Sequence, residues 1–183
     1  RADIRVDDNV LVFGAGLVGA FAAQAANLMG AKVTVADLNQ DRLDMIKRLG
    51  VAETINTGTE EGKKALWDGR PYSVILECSG ANIGKEWGGK SGLIGFRGRL
   101  VLVAGRYDVT YTYNSAQCDE ISVVHTSHFD KSDLELMIRY VQTGKVQIRP
   151  YIQNFVKVDD ALPYYTMLRD EPGKLLGTVF DWT

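Results

Sequence analysis

Cysteine is scarce in this chain: Cys78 and Cys118 are the two among 183 residues. They are too few and too widely spaced for a disulfide framework, which fits a reducing, cytoplasmic setting. Charge of either sign is also in short supply as an excess, since 21 Lys and Arg face 23 Asp and Glu and leave a formal net charge of -2. No basic stripe or Lys/Arg cluster is present, so nucleic acid and anionic membrane are excluded as expected partners. The one long apolar run, Val10 to Ala26, carries three glycines and Gln24 and follows acidic residues. It reads as a buried strand and helix, not as a signal peptide or a membrane span. Low-complexity tracts and fixed-period repeats are missing too. What remains is 45% hydrophobic, enough for a substantial core in one domain with an appendage. The chain begins on Arg1 and not Met, as a processed product or an excerpt of a longer chain would.

Within that apolar run, VLVFGAGLVG places Gly14, Gly16 and Gly19 at G-x-G-x-x-G spacing directly behind four strand-forming residues. Gly14 permits the tight turn out of the strand, Gly16 lets backbone approach a pyrophosphate, and Gly19 lets the next helix pack close to its strand. The phosphates would lie at the N-terminus of a helix from Leu17 to Met29, closed by Gly30. A second strand, Ala31 to Ala36, ends in Asp37, which stands 18 residues beyond Gly19. A carboxylate there can accept hydrogen bonds from the adenosine ribose hydroxyls and repels the extra phosphate of NADP, so NAD(H) is the expected cofactor. The plainer alternative is an Asp that ends a strand and caps the next helix.

Strands and helices then alternate. The pattern predicts a helix over Asp41 to Leu49, a strand over Glu53 to Asn56, a helix over Glu60 to Trp67 and a fourth strand over Tyr72 to Glu77. A partly helical stretch, Asn82 to Phe96, leads to a fifth strand over Arg99 to Ala104 and a sixth over Glu120 to Thr126. Ser132 is expected to cap a helix from Asp133 to Thr143. Beyond Val146 the rhythm changes to a strand (Tyr151 to Val156), a helix (Asp159 to Arg169, with Pro163 tolerable only in its first turn) and a last strand (Leu175 to Trp182). The expected fold is α/β: a doubly wound, six-stranded parallel sheet of the Rossmann type in the order 3-2-1-4-5-6 over residues 1-150, with a C-terminal appendage, 151-183.

Other residues invite chemistry and decline it. Cys118, His125 and His128 have the ligand types zinc selects, yet residues three apart on a strand point to opposite faces and no fourth ligand stands at recognisable spacing. Cys78 beside Ser79 has no base placed near it and reads as a small apolar filler. Tyr164, Tyr165, Trp67, Trp87 and Trp182 have no interleaved basic residues and read as core or interface aromatics. Asp159 and Asp160 are expected to begin a helix. No catalytic residue and no metal ligand is assigned to this chain.

Along nearly its whole length the sequence resembles the coenzyme-binding half of the medium-chain dehydrogenase/reductase family, the zinc-type alcohol, polyol and threonine dehydrogenases. The resemblance runs through VLVFGAGLVGAFAAQAANLMGAKVTVADLNQDRLDMIKRLG, VILECSG, GRLVLVAG, the helix ending TGKV, then VDDA and GKLLGTVFDW. It implies Leu17 and Val18 against the pyrophosphate, Asp37 on the ribose and Arg42 near the adenine. It also implies Cys78, Ser79 and Gly80 against the nucleotide, Val103, Ala104 and Gly105 near the nicotinamide, and a last contact near Thr126 and Ser127. It further implies a homodimer through Glu120 to Thr126, and a function in hydride transfer between a secondary alcohol and NAD. In that family the substrate and the catalytic zinc belong to a domain preceding the glycine turn, whereas nine residues precede Val10 here. Residues 151-183 would normally return to that domain. The rival reading is a stand-alone NAD(H)-binding or redox-sensing module; a weaker one is a zinc-independent enoyl or quinone reductase, against which Asp37 argues.

Overall fold

The computed structural model describes residues 1–81 and 92–183. Two compact units are present, Arg1–Asp130 and Lys131–Thr183. In the first, six strands form a parallel sheet: β1 (Asn9–Phe13), β2 (Lys32–Asp37), β3 (Glu53–Asn56), β4 (Tyr72–Glu77), β5 (Ile94–Leu102) and β6 (Ser122–His125). Their order is β3-β2-β1-β4-β5-β6, as the alternation of elements predicts. The chain order reverses between β1 and β4, where such sheets open a crevice at their carboxyl ends.

Helices α1 (Leu17–Leu28), α2 (Gln40–Leu49) and α3 (Glu60–Asp68) make the crossovers. Each begins and ends for a local reason. Asn39 caps α2 by accepting the Arg42 N–H, and Gly50 closes it in the left-handed region at φ 65°. Thr59 caps α3 through the Gly62 N–H at 3.0 Å. Helix α1 has no side-chain cap; Gly16 fills the N-cap position.

Alternation along the strands sorts the core. Leu11, Phe13, Ile75, Leu100 and Leu102 join Leu66 of α3 and Tyr72 in one buried cluster, while the alternate positions Val10, Val12, Val33, Val35 and Val74 are buried with the alanines of α1. Those alanines, Ala20, Ala23 and Ala26, are fully buried, so α1 lies close to the sheet. At the amino ends of the strands, Asp8 accepts from Ser73 Oγ at 2.8 Å and from Arg99 at 2.9 Å, tying β4 and β5 to the segment ahead of β1.

Some boundaries differ from expectation. The stretch anticipated as partly helical, 82–96, lies outside the described residues over 82–91, and its end, Ile94–Phe96, is strand. β5 starts there because a register shift opposite Tyr72 and Val74 lets Gly95–Gly98 bulge before regular pairing resumes at Arg99. It ends at Leu102, so Val103 and Ala104 form the turn that follows. A short helix, α4 (Tyr113–Cys118), was not anticipated; it buries no residue, so no apolar periodicity announces it.

In the second unit, α5 (Lys131–Gln142) begins one residue before Ser132, which therefore sits in its first turn instead of capping it. A short 3-10 turn, Arg149–Tyr151, takes in the first residue of the strand expected over Tyr151 to Val156, and the strand itself, β7 (Asn154–Lys157), starts three residues later than expected. Helix α6 (Ala161–Asp170) is preceded by a 3-10 turn at Val158–Asp160, and Pro163 falls in its first turn, where the missing N–H costs no helical bond. The last strand, β8 (Thr178–Asp181), is shorter than expected and pairs in parallel with β7. Lys157 donates to Asp181 at 2.8 Å, and the Thr183 hydroxyl and N–H donate to the same carboxylate at 2.6 and 3.0 Å.

Two outcomes follow from these contacts. The bonds from Lys157 and then Thr183 hold the Asp181 carboxyl at about 2, below its ordinary 3.8. Its contribution to stability is therefore complete above pH 3.8 and is lost as the pH falls toward 2; a carboxyl NMR titration should show the low midpoint, and Lys157→Met should move it back up. Gly19→Ala places a methyl group on the Gly14 carbonyl oxygen and should destabilise by about 3 kcal/mol. Gly16→Ala, with nothing within 4 Å of the new methyl, should cost about 1 kcal/mol or less; urea unfolding distinguishes the two.

Candidate functional site

The glycine turn is set by close approaches. Gly14 adopts φ 96°, its N–H donates to the Ala36 carbonyl at 2.8 Å, and a Cβ there would lie 2.9 Å from the Ser79 nitrogen. Gly19 faces Gly14 across the turn, with the Cys78 side chain behind it. Gly16 is extended, at φ -68° and ψ -178°, and has open space where its Cβ would be. Leu17 and Val18 follow as the first helical residues, with Val18 half exposed. The first amides of α1 have no intrahelical carbonyl to bond, and no acidic side chain occupies that turn. Backbone N–H groups and the positive end of the helix dipole thus face the open space at Gly16 with the sign that suits a phosphate.

Asp37 ends β2 and links two elements. Its Oδ2 accepts the Ala15 N–H at 2.5 Å and its Oδ1 accepts the Asn39 N–H at 2.8 Å. Each carboxylate oxygen keeps a second acceptor direction. Beside it opens a cavity of about 410 Å³, lined by Gly14, Asp37, Leu38, Thr57, Trp67, Ser79 and Ala81 among others. Apolar and aromatic walls with one carboxylate at the rim suit a planar base attached to a sugar. Arg42 lies in the first turn of α2, and its backbone N–H donates to Asn39; it is not among the residues lining this cavity.

The turn after β4 supplies the other wall through Ser79 and Ala81, and the turn after β5 lies beside that turn. Cys78 donates its N–H to the Phe13 carbonyl at 2.8 Å, and burial pushes its thiol up to about 12. It is protonated at neutral pH and packs as an apolar filler, not as a nucleophile. Gly80, at φ 79°, comes next to Ala104 and Gly105, so the two turns are neighbours. Val103 and Ala104 donate their N–H groups to the Glu77 carbonyl at 3.0 and 3.1 Å. Thr126 and Ser127 follow the end of β6 and do not line the cavity.

Two further residues of this region, Glu77 and Arg106, carry no sequence motif that singles them out. Glu77 is fully buried, and its carboxylate pairs with Arg106, whose side chain is 12% exposed. The available signal was a carboxylate ending the otherwise apolar strand VILE, and a strand-end acid is more often solvated. Among the described residues no group of three or more His, Cys, Asp or Glu is arranged to hold a metal ion, and no helix is long and apolar enough to cross a membrane.

Comparison with known proteins agrees with this geometry. Residues 18–143 match the family described as zinc-binding dehydrogenase. Sorbitol dehydrogenase 1 of Saccharomyces cerevisiae is 26% identical over 97% of this chain and 52% of its own length. A putative D-xylulose reductase of Agrobacterium fabrum is 32% identical over 88% of this chain and 47% of its own. The chain therefore spans about half the length of these curated relatives. Among solved structures, a short chain alcohol dehydrogenase from E. coli CFT073, complexed with NADH, superposes with a TM-score of 0.83 at 19% identity, covering 99% of this chain and 54% of that one. The 2R,3R-butanediol dehydrogenase of Bacillus subtilis gives 0.78 at 17% identity, covering 94% and 50%. With a family match over well more than half of its residues and the sheet order and glycine turn that go with it, the chain belongs to the zinc-binding dehydrogenases, as a coenzyme-binding domain of the medium-chain dehydrogenase/reductase type.

Proposed function

We propose that this chain binds NAD(H) and orients it for hydride transfer to or from a secondary alcohol or polyol. The observation that carries this reading is the Asp37 carboxylate, bonded to the glycine turn at the rim of the cavity beside an uncapped helix N-terminus. In this reading the amides at Gly16, Leu17 and Val18 hold the pyrophosphate, and Asp37 accepts from the adenosine ribose through its spare lone pairs. Cys78, Ser79 and Gly80 form the wall against the nucleotide, Arg42 covers the adenine side, and Val103, Ala104 and Gly105 border the nicotinamide. The relatives named as sorbitol dehydrogenase and D-xylulose reductase support a polyol-type substrate.

When bound, the dinucleotide supplies the hydride acceptor. This chain's residues bind it and exclude the 2′-phosphate; alcohol binding, and zinc where the whole enzyme uses it, belong to a catalytic domain, to which residues 151-183 would return. A reducing, cytoplasmic location suits the free Cys78 and Cys118. A homodimer through Glu120 to Thr126 is supported by the position of β6 at the end of the sheet, where, among the described residues, one side of the strand has no partner strand.

Calorimetric titration tests the cofactor reading. NADH should bind at least about tenfold more tightly than NADPH, and Asp37→Ala should weaken NADH by about ten- to a hundredfold while narrowing the preference, the size expected for hydrogen bonds to a charged group. No binding of either nucleotide at millimolar concentration would reduce the glycine turn to architecture. Sedimentation equilibrium should return twice the monomer mass; a monomer at all concentrations would remove the dimer from this reading.

A further inference from the structure

Burying a carboxylate is unfavourable unless its charge and its lone pairs are answered. Glu77 is fully buried and answered on every side. Its Oε1 accepts the Ser79 N–H at 2.9 Å, the Gly80 N–H at 3.1 Å and the Ser79 hydroxyl. Its Oε2 pairs with the Arg106 guanidinium. Arg106 reaches further: Nη1 donates to the Ala81 carbonyl at 3.1 Å and Nε to the Ala104 carbonyl at 3.2 Å. The fork of one guanidinium thus touches both the turn after β4 and the turn after β5, and the carboxylate opposite it fixes the first of those turns by its amides. Burial lowers the affinity of Arg106 for its proton, but the guanidinium stays charged at neutral pH and the pair is neutral as a whole.

These contacts lie between two regions of different use. Ser79 and Ala81 line the cavity beside Asp37, whereas Val103 to Gly105 follow β5. We propose that the Glu77–Arg106 pair is a positioning element for the coenzyme: it sets the turn after β5 against the turn after β4, and so fixes the nicotinamide end of the dinucleotide relative to its adenosine end. A lysine at 106 keeps the charge but cannot bond Glu77, Ala81 and Ala104 together, since its ammonium lacks the planar fork. The pair acts through the two turns and is not itself expected to touch reacting atoms.

This inference rests on the NAD(H) reading, and the test separates the two. NADH and ADP-ribose are titrated into the unaltered chain, Arg106→Lys, and the charge-free double variant Glu77→Gln/Arg106→Met, with thermal unfolding of each recorded without nucleotide. ADP-ribose carries the adenosine, pyrophosphate and second ribose but no nicotinamide. The expected result is that both variants weaken NADH about tenfold or more while ADP-ribose stays within about threefold. A purely structural role would weaken both ligands alike. Equal loss for both ligands, no loss for either, or failure of both variants to fold would overturn the proposal. Failure of the unaltered chain to bind NADH would overturn it together with the cofactor reading.

Discussion

The approach of α1 to the turn that leaves β1 is the constraint on which the site depends. At Gly19 the helix backbone comes so near the Gly14 carbonyl that no side chain fits between them. That contact fixes where the helix begins relative to the sheet, and with it the direction in which the first amides of α1 point. Gly14 meets a second limit, since the backbone of Cys78 and Ser79 leaves no room for a Cβ on that side. β1, β4 and α1 are thereby packed at backbone distance around one turn. The fully buried alanines of α1 continue the same close packing along the helix.

Two carboxylates hold this arrangement, and they do so by the same physical means. Asp37 accepts the amide of Ala15 from the glycine turn and that of Asn39 from the start of α2. Glu77 accepts the amides of Ser79 and Gly80 from the turn after β4. Charged acceptors make stronger bonds to backbone N–H groups than neutral ones do, so each anchors a loop that could not be anchored by apolar contact at a surface crevice. Their situations differ in what balances the charge. Glu77 is closed to solvent and is matched by Arg106; Asp37 is only half-buried at the rim of a cavity, with acceptor capacity left for a ligand's hydroxyl groups.

What could be read from the sequence follows from how locally each feature is determined. Gly14, Gly16, Gly19 and Asp37 were legible because a strand, a tight turn and a helix impose a fixed spacing on them. Strands β3 and β4 were legible to the residue, with the capped helix α3 lying between them. The start of β5 was not, because its first half contains Gly95 and Gly98, which read as helix-weakening or loop residues. Their cause is three-dimensional: a Cβ on Gly95 would crowd Pro71, and one on Gly98 would crowd Ile94. Arg106 was equally hidden, since it lies in the turn beyond the VLVAG that ends the fifth-strand motif, and its partner is 29 positions away in sequence. Sequence pattern carries periodicity and spacing; it does not carry which of several charged residues is folded inward.

The division between backbone and side chain also decides where specificity can reside. A pyrophosphate held by amides at a helix N-terminus is recognised by geometry that any sequence with the three glycines can provide. Discrimination between nucleotides must then come from the few side chains at the crevice, and here the charged ones are Asp37 and Lys63 along the cavity and the neutralised pair Glu77 and Arg106 behind it. Because the pair carries no net charge, the field at the acid end is set by Asp37 and by Lys63, whose ammonium is already paired with Glu60 at 2.6 Å. An additional phosphate beside Asp37 would meet a like charge, whose repulsion is strengthened by the apolar walls of Leu38, Leu66 and Trp67, while the cation in the lining, Lys63, is engaged with Glu60. In the proposed NAD(H) reading, selection against the phosphorylated nucleotide would rest on Asp37, the residue that already holds the glycine turn in place.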